Sequence, residues 1–193
     1  HAAGEGRVVL HPVADLRAAE LPTTPATPAQ WVVVGCGNLY RNDDGVGVRA
    51  VHQLRADWAA SMPPGLRLFD AGTGGMELMF QARGARGLVI IDACRSGSSP
   101  GAIFRVPGSE IGSMHQPSYS LHDFRWDHAV HAGRRIFGAD FPSDLTVYLV
   151  EAGDLGLGNE LSAPVQQALI EVCRQVNEHI RAWAAHAGTG PLA

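Results

Sequence analysis

The stretch Leu88 to Ala93, LVIIDA, constrains this chain most, because four consecutive bulky apolar residues run straight into an aspartate. A strand without polar alternation has to be covered on both faces, as happens inside a parallel sheet. Trp31 to Val34 is a second wholly apolar strand, and LTVYLVEA (145 to 152) is another. LRLFD (66 to 70) reads as a strand followed by the loop AGTGG, and GAIFRV (101 to 106) as a shorter strand. The segments between them have helical period. Gly47, Ala50, Val51, Leu54 and Trp58 share one face, and Met76 to Gln81 is helical in character. Trp126, Ala129, Val130, Gly133, Ile136 and Phe137 repeat the spacing, and Val165, Leu169, Val172, Cys173, Val176, Ile180 and Trp183 form a continuous stripe. Strands separated by helices imply parallel pairing with right-handed crossovers. The expected fold is a three-layer, doubly wound α/β domain around a mostly parallel sheet of about five strands.

A chain of 193 residues has room for one such domain. Residues 1 to 30 hold one short apolar run and then a stretch rich in Pro, Thr and Ala, so they read as an extension and linker. Residues 31 to 186 read as the domain and 187 to 193 as a short tail. The net charge is −4 with no polybasic stripe, which argues against a nucleic acid partner. No apolar run approaches the ~20 residues of a membrane span, and no secretory signal is visible. Three scattered cysteines suit neither a disulfide framework nor a CxxC zinc site. A monomer in a reducing, cytoplasmic setting is expected.

The loop GCGNLYRNDDGVGV (35 to 48) opens like a phosphate-binding turn, yet Tyr40 stands where a dinucleotide fingerprint needs its third glycine. Asp43 and Asp44 would also face the pyrophosphate. A like-charge contact at about 4 Å costs on the order of 1 kcal/mol in water and roughly 4 at an effective dielectric near 20. A cation fits the loop better. Either aspartate could instead cap the following helix, and one arrangement has Asp43 as the cap with Asp44 turned inward. Asp92, ending the most apolar strand, is the second candidate. In open α/β sheets ligands bind at the carboxyl edge, above all where neighbouring strands send their connections to opposite faces. If the strands ending before Asp44 and at Asp92 are neighbours, the two carboxylates converge there. The bland alternative for Asp92 is a carboxylate that accepts backbone hydrogen bonds from its own loop. Of the nine histidines, His122 closes the loop ahead of the Trp126 helix and can overhang the same edge; His128 and His131, one turn apart, suit a solvated face better. Two carboxylates and one imidazole would leave coordination positions open.

These places also carry a family resemblance. GCGNLYRNDDGVGVRAV resembles the opening segment of the maturation endopeptidases of nickel-iron hydrogenases. DAGTGGMEL is similar to that family's glycine-rich loop, LVIIDACRSGSSPGAIFRV to its buried strand ending in aspartate, and SLHDF to its histidine segment. The four matches run in order between Trp31 and about Trp183. The resemblance implies that Asp44, Asp92 and His122 contact metal and serve catalysis, and that Asp70, Gly72, Thr73, Gly74 and Gly75 hold the substrate tail. It further implies cleavage of a C-terminal extension from the large-subunit precursor of a [NiFe]-hydrogenase, with nickel supplied by the substrate and no resident cofactor. Ala71 departs from the family's paired glycines, and DFRWDH after His122 matches less well than the residues before it. The competing expectations are a metallopeptidase with a resident metal, a metal-sensing chaperone that does not cut, and, more distantly, a nucleotide-dependent oxidoreductase. Capture of a metal needs neutral imidazole, so activity is expected to fall in mild acid.

Overall fold

The apolar segments pair into one sheet in the computed structural model, which describes residues 30–113 and 125–187. The strands are β1 (Trp31–Cys36), β2 (Leu66–Gly72), β3 (Gly87–Cys94), β4 (Ile103–Pro107) and β5 (Asp144–Glu151), in the order β2-β1-β3-β5-β4. All pairings are parallel except that of β4, which lies antiparallel to β5 at the edge. The helices are α1 (Val46–Asp57), α2 (Gly75–Ala82), α3 (Trp126–Phe137) and α4 (Ala163–Ala187).

The period-2 geometry of β1 and β3 produces the layers. Trp31, Val33, Val89 and Ile91 pack with the buried faces of α1 and α4. Val32, Val34, Leu88 and Ile90 point the other way, onto α2 and α3. Both faces of the central strands are therefore buried, which is what their unbroken apolar runs demanded. No helix among the described residues is long and apolar enough to cross a membrane.

Two of the boundaries that differ from expectation have a clear physical cause. β2 continues past Asp70 through Ala71 and Gly72, because Cys36 pairs with Gly72 across a register shift and the Gly37 N–H donates to the Gly72 carbonyl at 2.8 Å. With Gly75 already opening α2, the expected glycine loop shrinks to Thr73 and Gly74. β4 begins at Ile103 instead of residue 101, since Gly101 adopts φ +84° and turns the chain before pairing starts. The expected extension and tail lie, apart from Gln30 and Ala187, outside the described residues.

β1 and β3 are neighbours, and their connections leave on opposite faces. β1 feeds α1 on one side, whereas the path from β3 to β5 returns through α3 on the other. The crevice between their carboxyl ends is the switch point. α1 approaches it closely at Gly47, where an added Cβ would lie inside van der Waals contact of the Ile91 and Cys36 carbonyl oxygens. Gly47→Ala is therefore expected to destabilise the fold by about 3 kcal/mol, read as a lower urea midpoint with an unchanged slope.

Candidate metal-recognition site

The loop after β1 presents its two aspartates differently. Asp44 is half-buried, and its Oδ2 accepts the Asn38 N–H at 3.0 Å. The loop can curl this tightly because Gly37 sits at φ +125°, and any Cβ there would collide with the Asp44 carbonyl. Asp43 is fully buried. Its carboxylate accepts the N–H groups of Gly153 (2.9 Å), Asp154 (2.8 Å) and Ser162 (2.6 Å) and the Ser162 hydroxyl at 2.8 Å. Burial alone would raise its pKa, but the bonds from Ser162, Asp154 and Gly153 outweigh burial and hold it below the usual carboxylate range. Neither aspartate makes a capping hydrogen bond to the short 3-10 turn at Asn42–Gly45 or to α1. Asp43 is instead a clamp between the loops after β1 and β5.

Asp92 ends the buried part of β3 and is 6% exposed. Its Oδ1 accepts the Ala93 N–H at 2.9 Å, and its Oδ2 lies 3.4 Å from Arg125 Nη2. Burial raises its pKa, Arg125 and the Ala93 N–H oppose the rise, and the negative charge of Asp44 adds to it, leaving the group at about 6. Asp92 ends β3 and Asp44 lies in the loop after its neighbour β1, so both carboxylates belong to the same edge of the sheet. His122 lies outside the described residues. Among the described residues, no group of three or more His, Cys, Asp or Glu side chains is placed to hold a metal. His128 is mostly buried and lies 3.5 Å from Asp127 on α3.

Asp70 Oδ1 accepts the Gly72 N–H at 2.9 Å, and its Oδ2 pairs with His52 Nε2 of α1 at 2.9 Å. The Gly74 N–H donates to the Ala71 carbonyl. The N–H groups of Gly72 and Gly74 are thus engaged within the segment, which fixes its shape and leaves fewer free donors than its glycine content suggested.

A third carboxylate at this rim escaped the sequence reading. Glu151, ending β5 beside Cys94, is buried and accepts from the backbone and hydroxyl of Ser96, the Gly97 N–H and the Cys94 thiol. The Ser96 N–H and hydroxyl, assisted by Gly97 and Cys94, hold its pKa at about 2. With both oxygens occupied, Glu151 anchors the loop after Asp92 and has no vacant acceptor for a cation. Its signal was present all along, since LTVYLVE ends in an acid as LVIID does. Arg125 was missed as well, although an arginine just before a helix opposes the helix dipole and so asks for a carboxylate nearby.

The thiols are poorly suited to attack. Burial raises the pKa of Cys36 well above its usual range, aided by Asp92, and burial with the Glu151 contact raises Cys94 to about 12. Neither forms thiolate at neutral pH.

Both the sequence and the fold have counterparts among known proteins. A family model described as hydrogenase maturation protease matches residues 48–179. The hydrogenase expression/formation protein HupD of Thiocapsa roseopersicina is 29% identical over 151 residues, covering 77% of this chain and 66% of that protein. HoxM of Azotobacter vinelandii is 30% identical over 156 residues, covering 80% and 73%. The chain thus spans about two thirds to three quarters of these relatives' lengths. The solved hydrogenase maturating endopeptidase HybD from E. coli superposes with a TM-score of 0.68 at 27% identity, over 79% of this chain and 93% of that one. With the family model spanning more than half of its length, the chain belongs to the hydrogenase maturation protease family, enzymes that hydrolyse peptide bonds.

Proposed function

We propose that this protein is an endopeptidase that removes the C-terminal extension of a nickel-loaded [NiFe]-hydrogenase large-subunit precursor and recognises the substrate's nickel through Asp44, Asp92 and His122. The observation that carries the reading is the pair of carboxylates at the switch point. Asp92 is buried with its pKa raised to about 6, and Asp44 adds negative charge beside it. Burying a carboxylate is costly unless a cation compensates it; Arg125 at 3.4 Å is one such cation, and nickel carried in by the precursor is read as a second.

The Asn38 N–H holds one oxygen of Asp44, while Asp43 ties the same loop to Gly153, Asp154 and Ser162. Asp92 is held by its own loop, which Glu151 anchors. The segment Asp70, Gly72, Thr73, Gly74 and Gly75 borders β1 through the Gly37–Gly72 bond and is read as the seat of the precursor's tail. A nickel ion at the rim supplies Lewis acidity, either polarising the scissile carbonyl or lowering the pKa of a bound water towards ~7. No side-chain nucleophile is required, in keeping with the protonated thiols. No resident metal is invoked, and the protein is read as a monomer acting in the cytoplasm. Incubation with nickel-loaded precursor is expected to release a short C-terminal peptide, seen as a mass loss; an unchanged precursor mass would indicate a chaperone and overturn the reading.

Capture requires Asp92 as carboxylate. With its pKa at about 6, processing is expected to decline as pH falls through that value, because protons then compete with the metal. A rate that holds steady from pH 7.5 to 5 would contradict this role.

A further inference from the structure

Arg125 immediately precedes α3, where the helix dipole disfavours a cation. Its side chain is 63% exposed, yet the guanidinium reaches in to the 8%-exposed side chain of Asp92, at 3.4 Å. Among the described residues it is the only ion-pair partner of Asp92. Asp44 meanwhile engages one oxygen with Asn38, and its other oxygen has no partner among the described residues. A permanent positive charge therefore stands on the carboxylate that an incoming cation needs. A guanidinium does not deprotonate in proteins, so while Asp92 is ionised only a competing cation can displace it.

We propose that Arg125 is a specificity-determining counter-ion: it occupies Asp92 in the empty enzyme and excludes free divalent ions, so that nickel enters only when carried by a protein that also binds elsewhere on the enzyme. This inference rests on the reading of Asp44 and Asp92 as metal contacts. A free ion has to displace Arg125 using its coordination energy alone. A metal embedded in a precursor brings the contacts of the tail with the Asp70 to Gly75 segment as well, and that additional binding offsets the displacement. The arrangement discriminates against the loose metal through a built-in competitor.

The test is calorimetric titration of nickel chloride into the full chain, wild type and variants, in a non-coordinating buffer. Arg125→Gln is expected to bind free nickel about tenfold more tightly than wild type, the change that loss of an interaction of ~1.4 kcal/mol produces. Arg125→Lys keeps the charge and is expected to stay within about threefold of wild type. The gain should vanish in the double variant Arg125→Gln/Asp92→Asn. Because Arg125 is largely exposed, folding should survive; Arg125→Met offers a second form of the same test if the glutamine variant does not fold. Equal nickel affinity in wild type and Arg125→Gln, both weakened by Asp92→Asn, would overturn the competitor role and leave the carboxylate site standing. A gain that persists without Asp92 would overturn the inference along with the metal-contact reading beneath it, whereas no detectable nickel binding by any variant would overturn the inference alone.

Discussion

Asp92→Asn should abolish precursor processing and at the same time yield a more stable protein. Asparagine keeps the volume and can still accept the Ala93 N–H, but it removes a charge from a site that is 6% exposed. Burial, the principal cause, outweighs Arg125 and the Ala93 N–H and leaves the carboxyl at about 6 against 3.8, which corresponds to on the order of 3 kcal/mol disfavouring the ionised form at neutral pH. The buried amide of asparagine carries its own desolvation cost, so the net gain at pH 7 is expected to be about 1–2 kcal/mol, or roughly 3–6 °C in melting temperature. Processing should fall by at least about a hundredfold, since even indirect partners of metal ligands are worth 10–100-fold. The direction with pH follows from the raised pKa. The protonated form is favoured in the folded state, so its stabilising contribution is complete below the unfolded value near 3.8 and is lost as pH rises through 6. The wild type should show this slope and the asparagine variant should not. Loss of activity with a lower melting temperature would mean that Asp92 is a structural residue.

The neighbouring clamp should behave in the opposite way. Asp43→Ala leaves three backbone N–H groups and one hydroxyl without their acceptor in a fully buried position. Breaking a buried, hydrogen-bonded charge costs about 3–5 kcal/mol, a fall of roughly 8–15 °C in melting temperature for a domain of this size. Here the folded pKa is depressed, because the bonds from Ser162, Asp154 and Gly153 outweigh burial. Its contribution is present above the unfolded value near 4 and is lost as pH drops through the depressed one. Activity should fall only as far as the fold does, and should return in part with a stabilising osmolyte. A variant that melts like wild type yet cannot process the precursor would instead give Asp43 a chemical role.

The contrast between these two aspartates shows what was legible in the chain. LVIID announced both a buried strand and a carboxylate at its end, because four large apolar residues in a row leave no other economical placement. A mostly parallel sheet of about five strands followed from that pattern and the helical periods between the strands, whereas the adjacency of β1 and β3, on which the crevice depends, was a condition that only their pairing meets. Asp43 and Asp44 were inseparable at that level. Which of them turns inward depends on bonds to Gly153, Asp154 and Ser162, more than a hundred residues away in sequence, and local propensity suggested a helix cap that neither provides. The glycine segment was too long on paper because pairing of Cys36 with Gly72 draws two of its residues into β2, a tertiary effect. Arg125 was hidden for the same reason, since its partner lies on another strand.

Two carboxylates gripping a cation that the client brings are the centre of the proposed mechanism. Its most direct test is the affinity of the enzyme for nickel-loaded and nickel-free precursor, measured side by side on wild type and on the double variant Asp44→Asn/Asp92→Asn. The wild type should bind the loaded form far more tightly, and the double variant should bind both forms alike. Equal binding of the two precursors by the wild type, or a preference for nickel that persists without both carboxylates, would contradict it.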